Sequence, residues 1–385
     1  MRATACGLLR TRFLAGCGLV PGFPAATKAR YAAAGGQRAN LPSGRRCVLG
    51  TKRAPAGSTQ PWPSPGGTLT VSKGLGVSTG GAPENRYHSP PEAAIMLAVC
   101  GGEEMRIAIT GAEGQLGSSL QEAFEGNELL LIDLPEHDVT DLRIVSQIAD
   151  WVPEAVIHAA AMTDVDGCER EPEAAYRVNA LGTRNVALAC QRCGAPMLYV
   201  STDYVFGGTS DEPYLEYDEP NPGSVYARSK LAGEEFVRDL LKRFYIVRTA
   251  WLYGHHGKNF VEKMLELADR ERELSVVANE FGSPTYAPDL AEAICRLMQH
   301  PLYGIYHLVN EGSCSRYEFA AKVLEMSGRT DVHVSPSRLY PRAAKVPRRA
   351  VLRNFSAATQ LGISLRPWEE ALKAYFEARN RAGHC

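Results

Sequence analysis

The feature that most constrains the fold is an apolar stretch that runs directly into three regularly spaced glycines. Residues Met105–Thr110 (MRIAIT) are mostly apolar and predict a buried first strand. Gly111, Gly114 and Gly117 follow at once in GAEGQLG. Glycines at this spacing let the chain turn tightly, approach a pyrophosphate with its backbone, and pack a helix on the strand. The stretch therefore predicts a dinucleotide site at a helix N-terminus.

A second apolar strand supports this interpretation. Leu129–Ile132 ends in Asp133, which lies 22 residues after Gly111, near the spacing of a carboxylate that binds a ribose hydroxyl. A turn residue is the alternative for Asp133. As a ribose ligand it would repel a 2′-phosphate, so the sequence favours NADH over NADPH. Three neighbouring residues are assigned to the same cofactor site: Gln115, Leu116 and Asp138.

Strands and helices continue to alternate after this point. AVIHAAA predicts a strand that ends in Ala159, Ala160 and Ala161, whose small side chains would let the backbone pass close to a ligand. Tight core packing is the alternative. The alternation predicts an α/β fold with a doubly wound parallel sheet of Rossmann type. We expect the cofactor domain over residues 105–250 and a smaller mixed α/β substrate domain over 251–385, with the chain crossing back between them.

Chemistry is predicted at the end of a later strand. MLYVSTDYVFG carries Thr202 and Asp203 at its carboxyl end, and active sites of open α/β sheets lie beyond those ends. Tyr226 and Lys230 follow in YARSK, and their spacing puts both side chains on one helix face. Alone, such a pair is usually a solvated helix face. Here a neighbouring ammonium would lower the pKa of the tyrosine, so the pair predicts a tuned proton donor.

Charge and cysteine content exclude several classes of protein. Residues 1–104 hold 12 of the 42 basic and 4 of the 43 acidic residues, so the remainder is acidic, which argues against nucleic-acid binding. No stretch approaches the roughly 18 apolar residues of a membrane span, and we expect a cytoplasmic protein. The ten cysteines lack zinc-type spacing. The single CxxC, Cys190–Cys193, predicts a helix end capped by Gly194, free thiols and no metal site.

The first 104 residues form a separate segment, rich in Gly, Pro, Ala, Ser and Arg. A segment of this composition cannot bury enough apolar surface to offset its ordering entropy, so we expect a disordered low-complexity extension. Three interpretations stay open: a cleaved organelle transit peptide, a regulatory tail, or a stretch that is not a natural part of the protein. We favour the last, because a complete strand begins abruptly at Met105.

Together these motifs resemble those of the extended short-chain dehydrogenases, and within them the dTDP-4-dehydrorhamnose reductases. The resemblance covers nearly all of residues 105–385. The stretches that carry it are TGAEGQLG, HAAAMTDVDGCE, YVSTDYVFGG, YARSKLAGEE, RTAWLYG, NFV, NEFGSPTYAPDLA, GIYHLVNEG and YEFA. STDYVF and AWLYG are more specific to this subfamily than the glycines are.

The resemblance implies the reduction of dTDP-4-dehydro-L-rhamnose to dTDP-L-rhamnose with NADPH or NADH. Tyr226 would protonate the C4 carbonyl oxygen as hydride arrives, and Lys230 would bond the nicotinamide ribose and tune Tyr226. Thr202, the third catalytic residue, would hold the same oxygen, while Asp203 and Trp251 would border the sugar. Trp251 could instead be a core aromatic, and Asp203 could cap a local turn.

The sequence departs from the family in two places. Near the C-terminus the family usually shows Arg-Pro followed by Ser, whereas this chain has AKVPRRAVL, with Val346 and Ala350 at those positions. Arg348 and Arg349 remain, and Arg348 is assigned to the diphosphate of the sugar nucleotide, because guanidinium groups match phosphate geometry. Arg316 stands where a Trp is common before YEFA.

Two other functions are weighed against the reductase. An epimerase or dehydratase acting on another nucleotide sugar is one, but dehydratases of this group normally carry an acid pair where Asp203 stands alone before Tyr204. A non-catalytic regulatory subunit like that of methionine adenosyltransferase is the other, and the intact Thr202–Tyr226–Lys230 set argues against it. A dTDP-4-dehydro sugar is the expected partner, and a homodimer is compatible with the family. Mg²⁺ has no support in the sequence, so no metal residue is assigned.

Overall fold

The computed structural model describes residues 104–382, and the predicted N-terminal extension lies outside them, apart from Glu104. The strands are β1 (Arg106–Thr110), β2 (Glu128–Ile132), β3 (Ala155–His158), β4 (Met197–Thr202), β5 (Phe244–Thr249), β6 (Leu252–Tyr253), β7 (Glu273–Val277), β8 (Phe281–Gly282), β9 (Thr285–Tyr286), β10 (Gly304–His307), β11 (Cys314–Ser315) and β12 (His333–Ser337). The α-helices are α1 (Gln115–Ala123), α2 (Arg143–Trp151), α3 (Val165–Arg170), α4 (Pro172–Tyr176), α5 (Thr183–Cys193), α6 (Val225–Leu240), α7 (Phe260–Ala268), α8 (Ala287–Met298), α9 (Arg316–Met326), α10 (Phe355–Leu361) and α11 (Trp368–Ala382). A π-helix spans Arg177–Gly182, and a 3₁₀ turn spans Asp203–Val205.

A parallel sheet of six strands organises the fold, in the order β2–β1–β3–β4–β5–β10. Within the sheet, the path begins at the inner strand β1, moves outward to β2 and then returns to the other side of β1 as β3. This reversal creates a switch point between β1 and β3, which is where open α/β sheets bind their ligands. The predicted doubly wound sheet of Rossmann type is confirmed.

Helices cover both faces of the sheet because successive side chains of a buried strand point to opposite sides. On one face, Ile109 of β1 packs in a core with Leu120 of α1 and Ile294 of α8. On the other face, Ala108 of the same strand packs in a second core with Ile148 of α2. A central strand such as β1 is therefore buried on both faces, and its apolar sequence follows from this position.

The residues after 250 contribute to two parts of the structure, a separate core and the main sheet with its covering helices. A separate core joins α7, α9 and α11, with Leu265, Phe319 and Tyr375 at its centre, and this smaller α/β part agrees with the predicted fold class. In contrast, α8 and β10 belong to the main sheet and its covering layer. No helix among residues 104–382 is long and apolar enough to cross a membrane.

The CxxC motif lies at the end of α5, as predicted. Cys190 is buried and Cys193 half-buried, and Gly194 takes the left-handed conformation, with φ of 76°, that ends the helix. Burial raises the pKa of the Cys193 thiol. Within residues 104–382, no group of three or more His, Cys, Asp or Glu side chains is arranged to hold a metal ion.

A buried ion pair ties α6 to the sheet. Arg248 of β5 donates from Nε and Nη2 to the two carboxylate oxygens of Glu234 on α6, at 3.0 and 2.7 Å, and both side chains are at most 2% exposed. Ser201 of β4 donates to Oε1 of the same carboxylate at 2.5 Å. Since each partner is buried, loss of one would leave a charge without compensation, and the pair fixes α6 against β4 and β5.

We expect Glu234→Ala to lower the free energy of unfolding by about 3–5 kcal/mol, because it leaves the Arg248 guanidinium buried without a counter-ion. Urea denaturation followed by circular dichroism measures this change. Asp150→Ala is the control, since it removes an exposed ion pair with Arg192 and should cost less than about 1 kcal/mol. Equal, small losses for the two variants would contradict the role given to the buried pair.

Candidate active site

The carboxyl ends of the central strands open onto a cavity of about 830 Å³. Nearly all the residues predicted for cofactor binding, catalysis and sugar contact line it: Gly111, Gly114, Gln115, Leu116, Gly117, Asp133, Asp138, Ala159, Ala160, Ala161, Thr202, Asp203, Tyr226, Lys230 and Trp251. Arg348 is exposed and does not line this cavity. The structure therefore brings the predicted set together with that one exception.

The three glycines occupy positions that exclude a side chain or keep the backbone open. Gly111 has φ of +69°, and a Cβ there would lie 2.6 Å from the backbone nitrogen of Ala160, so the turn packs directly on the loop after β3. A Cβ on Gly117 would collide with the carbonyl oxygen of Gly111. Gly114 instead borders the cavity, and a Cβ there would meet only the Gly111 carbonyl, at 3.1 Å. A ligand can thus approach the backbone at Gly114.

The N-terminus of α1 faces this cavity. The helix begins at Gln115 with Gly114 as its N-cap, and no side chain caps the first N–H groups. The first turn also lacks an acidic residue. Unsatisfied N–H groups and the helix dipole both favour an anion here. The site therefore fits the pyrophosphate of a dinucleotide cofactor.

Asp133 directly follows β2 and accepts two backbone hydrogen bonds. Its Oδ2 accepts a hydrogen bond from the Glu113 N–H at 2.8 Å, and its Oδ1 accepts one from the Leu134 N–H, also at 2.8 Å. These bonds anchor the turn, as the alternative interpretation proposed. Because a carboxylate oxygen can accept more than one hydrogen bond, Asp133 can still accept from a ribose hydroxyl in the cavity.

The predicted catalytic residues come from two elements that meet at the sheet. Thr202 is the last residue of β4, while Tyr226 and Lys230 lie on the first two turns of α6. Lys230 is buried, donates from Nζ to the Val200 carbonyl at 2.7 Å and lies 4.2 Å from the centre of the Tyr199 ring. Its ammonium is thus held next to the strand that carries Thr202.

Burial dominates the ionisation of this pair. It raises the pKa of Tyr226 above its usual range, and a hydrogen bond with Thr202 only partly opposes this. It also lowers the pKa of Lys230 to about 7, against the opposing charge of Glu234. The pKa of Tyr226 is therefore raised overall, and not lowered as predicted, because desolvation disfavours the charged form of the phenol. Tyr226 stays protonated at neutral pH.

Asp203 is a buried carboxyl group with one oxygen free. Its side chain is 2% exposed, and Oδ1 accepts from the Thr202 hydroxyl at 3.0 Å. Oδ2 has no hydrogen-bond partner among residues 104–382. Burial raises the pKa of Asp203 to about 7, while Thr202 and Arg316 lower it. The 3₁₀ turn is capped by the Thr202 hydroxyl, which accepts from the Tyr204 N–H at 3.2 Å, rather than by Asp203.

Trp251 lines the same cavity and is held in an unusual backbone conformation. Its φ is +44°, in the left-handed region that a bulky residue rarely adopts. Gly282 makes room for the indole, since a Cβ there would lie 2.5 Å from its Cε2 atom. The Arg316 guanidinium carbon lies 3.5 Å from the centre of the same ring. Trp251 therefore lines the cavity, as expected of a residue that borders the sugar, and also packs on neighbouring cores, as expected of a core aromatic.

Asn179 is a positioning residue to which the sequence assigned no role. It lies in the π-helix and is fully buried. Its Oδ1 accepts from the Met162 N–H at 2.8 Å, while Nδ2 donates to the Met162 carbonyl at 3.1 Å and to the Ser229 hydroxyl at 3.0 Å. These bonds connect the loop after β3 to α6. A π-turn inside a helical stretch is a common signal of a functional site, but it has no simple sequence pattern.

Comparison with known proteins agrees with this geometry. The family model described as the RmlD substrate binding domain matches residues 105–381. The chain is 41% identical over 281 residues to the spore coat polysaccharide biosynthesis protein SpsK of Bacillus subtilis, covering 72% of this chain and 99% of that protein. It is 42% identical over 286 residues to the dTDP-4-dehydrorhamnose reductase of Mycobacterium tuberculosis strain H37Rv, covering 70% and 92%.

Solved structures show the same similarity. A dTDP-4-dehydrorhamnose reductase from Clostridium acetobutylicum superposes with a TM-score of 0.70 at 41% identity, covering 72% of this chain and 100% of that one. The dTDP-4-dehydrorhamnose reductase of Bacillus anthracis, crystallised with NADP, gives a TM-score of 0.69 at 41% identity with the same coverage.

The fold, the glycine turn and the converging Thr202, Tyr226 and Lys230 side chains define an extended short-chain dehydrogenase, an NAD(P)H-dependent oxidoreductase. More narrowly, the chain belongs to the dTDP-4-dehydrorhamnose reductase family. The predicted family and enzyme class are thus confirmed.

We expect Asp203→Asn to change how stability depends on pH. Since burial raises the pKa of Asp203 from 3.8 to about 7, the folded state binds more protons than the unfolded state between these values. Stability contributed by Asp203 therefore falls as pH rises through this window, and asparagine removes that fall. Thermal denaturation of the ligand-free proteins at about pH 5 and about pH 8 should show the variant gaining relative to wild type at the higher pH. A difference in melting temperature that does not vary with pH would contradict the buried carboxyl.

Proposed function

We propose that the protein reduces the C4 keto group of dTDP-4-dehydro-L-rhamnose to dTDP-L-rhamnose with NAD(P)H, and that Tyr226 donates the proton. The observation that carries this proposal is the convergence of Thr202, Tyr226 and Lys230 on the cavity that also receives the glycine turn. The relatives named dTDP-4-dehydrorhamnose reductase support the choice of substrate.

Different residues would bind different parts of the dinucleotide. The open N–H groups at Gln115 and Leu116, with the bare backbone at Gly114, would hold the pyrophosphate. Asp133 would accept from the adenosine ribose, with Asp138 beside it. Ala159–Ala161 would let the cofactor pass close to the backbone. When bound, NAD(P)H supplies the hydride.

Proton delivery is assigned to Tyr226. Reduction of a ketone creates negative charge on the carbonyl oxygen, and a group that stays protonated can neutralise this charge as it develops. Because burial raises the pKa of Tyr226, the phenol carries its proton at neutral pH and can donate it. Thr202, whose hydroxyl lies within hydrogen-bonding distance of Asp203, would hold the same oxygen. Lys230 would bond the nicotinamide ribose from its place beside β4.

The sugar would lie between Asp203 and Trp251. Asp203 presents a buried oxygen that has no partner among residues 104–382, and a sugar hydroxyl could donate to it. Trp251 lines the same cavity, and the part of its indole that Arg316 and Gly282 leave uncovered would border the sugar. Binding of the diphosphate by Arg348, which lies outside the cavity, remains a prediction. The homodimer also remains a prediction.

Removing the Tyr226 hydroxyl should abolish most of the activity. We expect Tyr226→Phe to lower kcat for the 4-keto sugar nucleotide by about a hundredfold or more, the usual effect of a general acid. Binding of NADPH, followed by fluorescence, should change little. Tyr217→Phe is the matched control, because Tyr217 is 71% exposed and lies outside the cavity. If wild type and Tyr226→Phe bind cofactor but are equally inactive, the reductase proposal fails and the regulatory-subunit alternative gains.

The preference of the enzyme for NADH or NADPH tests the proposed role of Asp133 as a ribose ligand. Its carboxylate would repel the 2′-phosphate of NADPH, so we expect kcat/KM to favour NADH. We expect Asp133→Ala to shift the ratio toward NADPH by about tenfold, equivalent to about 1.4 kcal/mol. Steady-state kinetics with both cofactors measures the ratio. A strong NADPH preference of the wild-type enzyme would count against this role, and the relative from Bacillus anthracis was crystallised with NADP.

A further inference from the structure

Arg316 places a cation in the cavity beside Asp203 and Trp251. Its side chain is half-buried and lines the cavity together with Asp203 and Trp251. The guanidinium carbon lies 3.5 Å from the centre of the Trp251 indole and 5.2 Å from the ring of Phe260. Within residues 104–382 the guanidinium makes no hydrogen bond or ion pair; only its backbone N–H donates, to the Glu280 carbonyl.

Stacking prepares the guanidinium for a ligand. A guanidinium that lies over an aromatic ring loses little freedom on binding, and its N–H donors remain in its own plane as a fork. That fork matches the paired oxygens of a phosphate or carboxylate. Gly282 packs beneath the indole, so the aromatic support is itself fixed. Arg316 is therefore preorganised to bind an anion that enters the cavity.

Two other arginines that could reach a diphosphate, Arg348 and Arg349, do not line the cavity. Arg348 is exposed outside the cavity, and the Arg349 Nε donates to the carbonyl of Asp211. Of these three arginines, Arg316 is the one that lines the cavity.

We propose that Arg316 binds the diphosphate of the sugar nucleotide beside Trp251. This inference rests on the proposed function, because the diphosphate is the anionic part of the proposed substrate. It replaces Arg348 as the diphosphate ligand.

A different role for Arg316 must be separated from this one. Arg316 also stabilises the ionised form of Asp203. The alternative is that Arg316 affects ligand binding indirectly, by changing the charge of that carboxylate. A double-mutant cycle distinguishes the two roles. If Arg316 contacts the diphosphate, its removal weakens dTDP binding by the same factor in wild type and in Asp203→Asn. If it acts only through Asp203, its removal has no effect in Asp203→Asn, and the proposal is overturned.

The test measures binding of dTDP by calorimetry to the full chain saturated with NADPH, so that dTDP cannot occupy the cofactor site. We expect Arg316→Gln and Arg316→Ala to raise the Kd of dTDP by about ten- to a hundredfold, the loss of a charged hydrogen bond. The salt dependence of Kd should also become weaker. The Kd of NADPH should not change, and this readout shows that the variants are folded.

Two further arginines complete the design. Arg270→Ala is the control for loss of a positive charge, because Arg270 is exposed and outside the cavity, and it should leave the Kd of dTDP unchanged. Arg348→Ala is the competing variant: if it weakens dTDP binding while Arg316→Ala does not, the inference is overturned and the proposed function stands. If the wild-type protein binds NADPH but no dTDP, the proposed substrate is wrong and the inference falls with it.

Discussion

The active-site geometry depends on the buried ion pair between Arg248 and Glu234. The pair joins α6 to β5, and the hydroxyl of Ser201 adds β4 to the same carboxylate. Lys230 lies one helical turn before Glu234, and Tyr226 one turn before that. Because the position of α6 is fixed at Glu234, the phenol and ammonium groups reach the carboxyl end of β4 at a defined distance from Thr202. A buried pair stabilises little by itself, but it is costly to break, and this gives a unique position to the helix.

Low solvation is the second property of the site. It raises the pKa values of Tyr226 and Asp203 and lowers that of Lys230, so each group is shifted toward its neutral form. Tyr226 therefore carries its proton at neutral pH, as a proton donor must, but the raised pKa also makes the phenol a weaker acid. In the same environment the ionised form of Asp203 is poorly stabilised. Its Oδ2 has no hydrogen-bond partner within residues 104–382 and is available to a ligand.

At the sugar side, two side chains far apart in sequence form one surface. Trp251 follows β5, Arg316 begins α9, and Gly282 of β8 lies beneath the indole. A positive φ at Trp251 aims the indole in a direction that a regular strand could not give it. The stacked arginine makes this surface cationic. The proposed site for the diphosphate is therefore a property of packing between segments, and neither Trp251 nor Arg316 would have it alone.

Sequence patterns determined the parts of this protein that depend on local structure. The glycine turn, the alternation of strands and helices, and the i, i+4 pair Tyr226–Lys230 could be predicted, because periodicity and backbone conformation act over a few residues. Tertiary structure decided the rest. It returned β10 to the main sheet, brought Arg316 into the cavity and left Arg348 outside. It also reversed the expected shift of the Tyr226 pKa, since desolvation depends on every segment packed around a group and not on its neighbours in sequence.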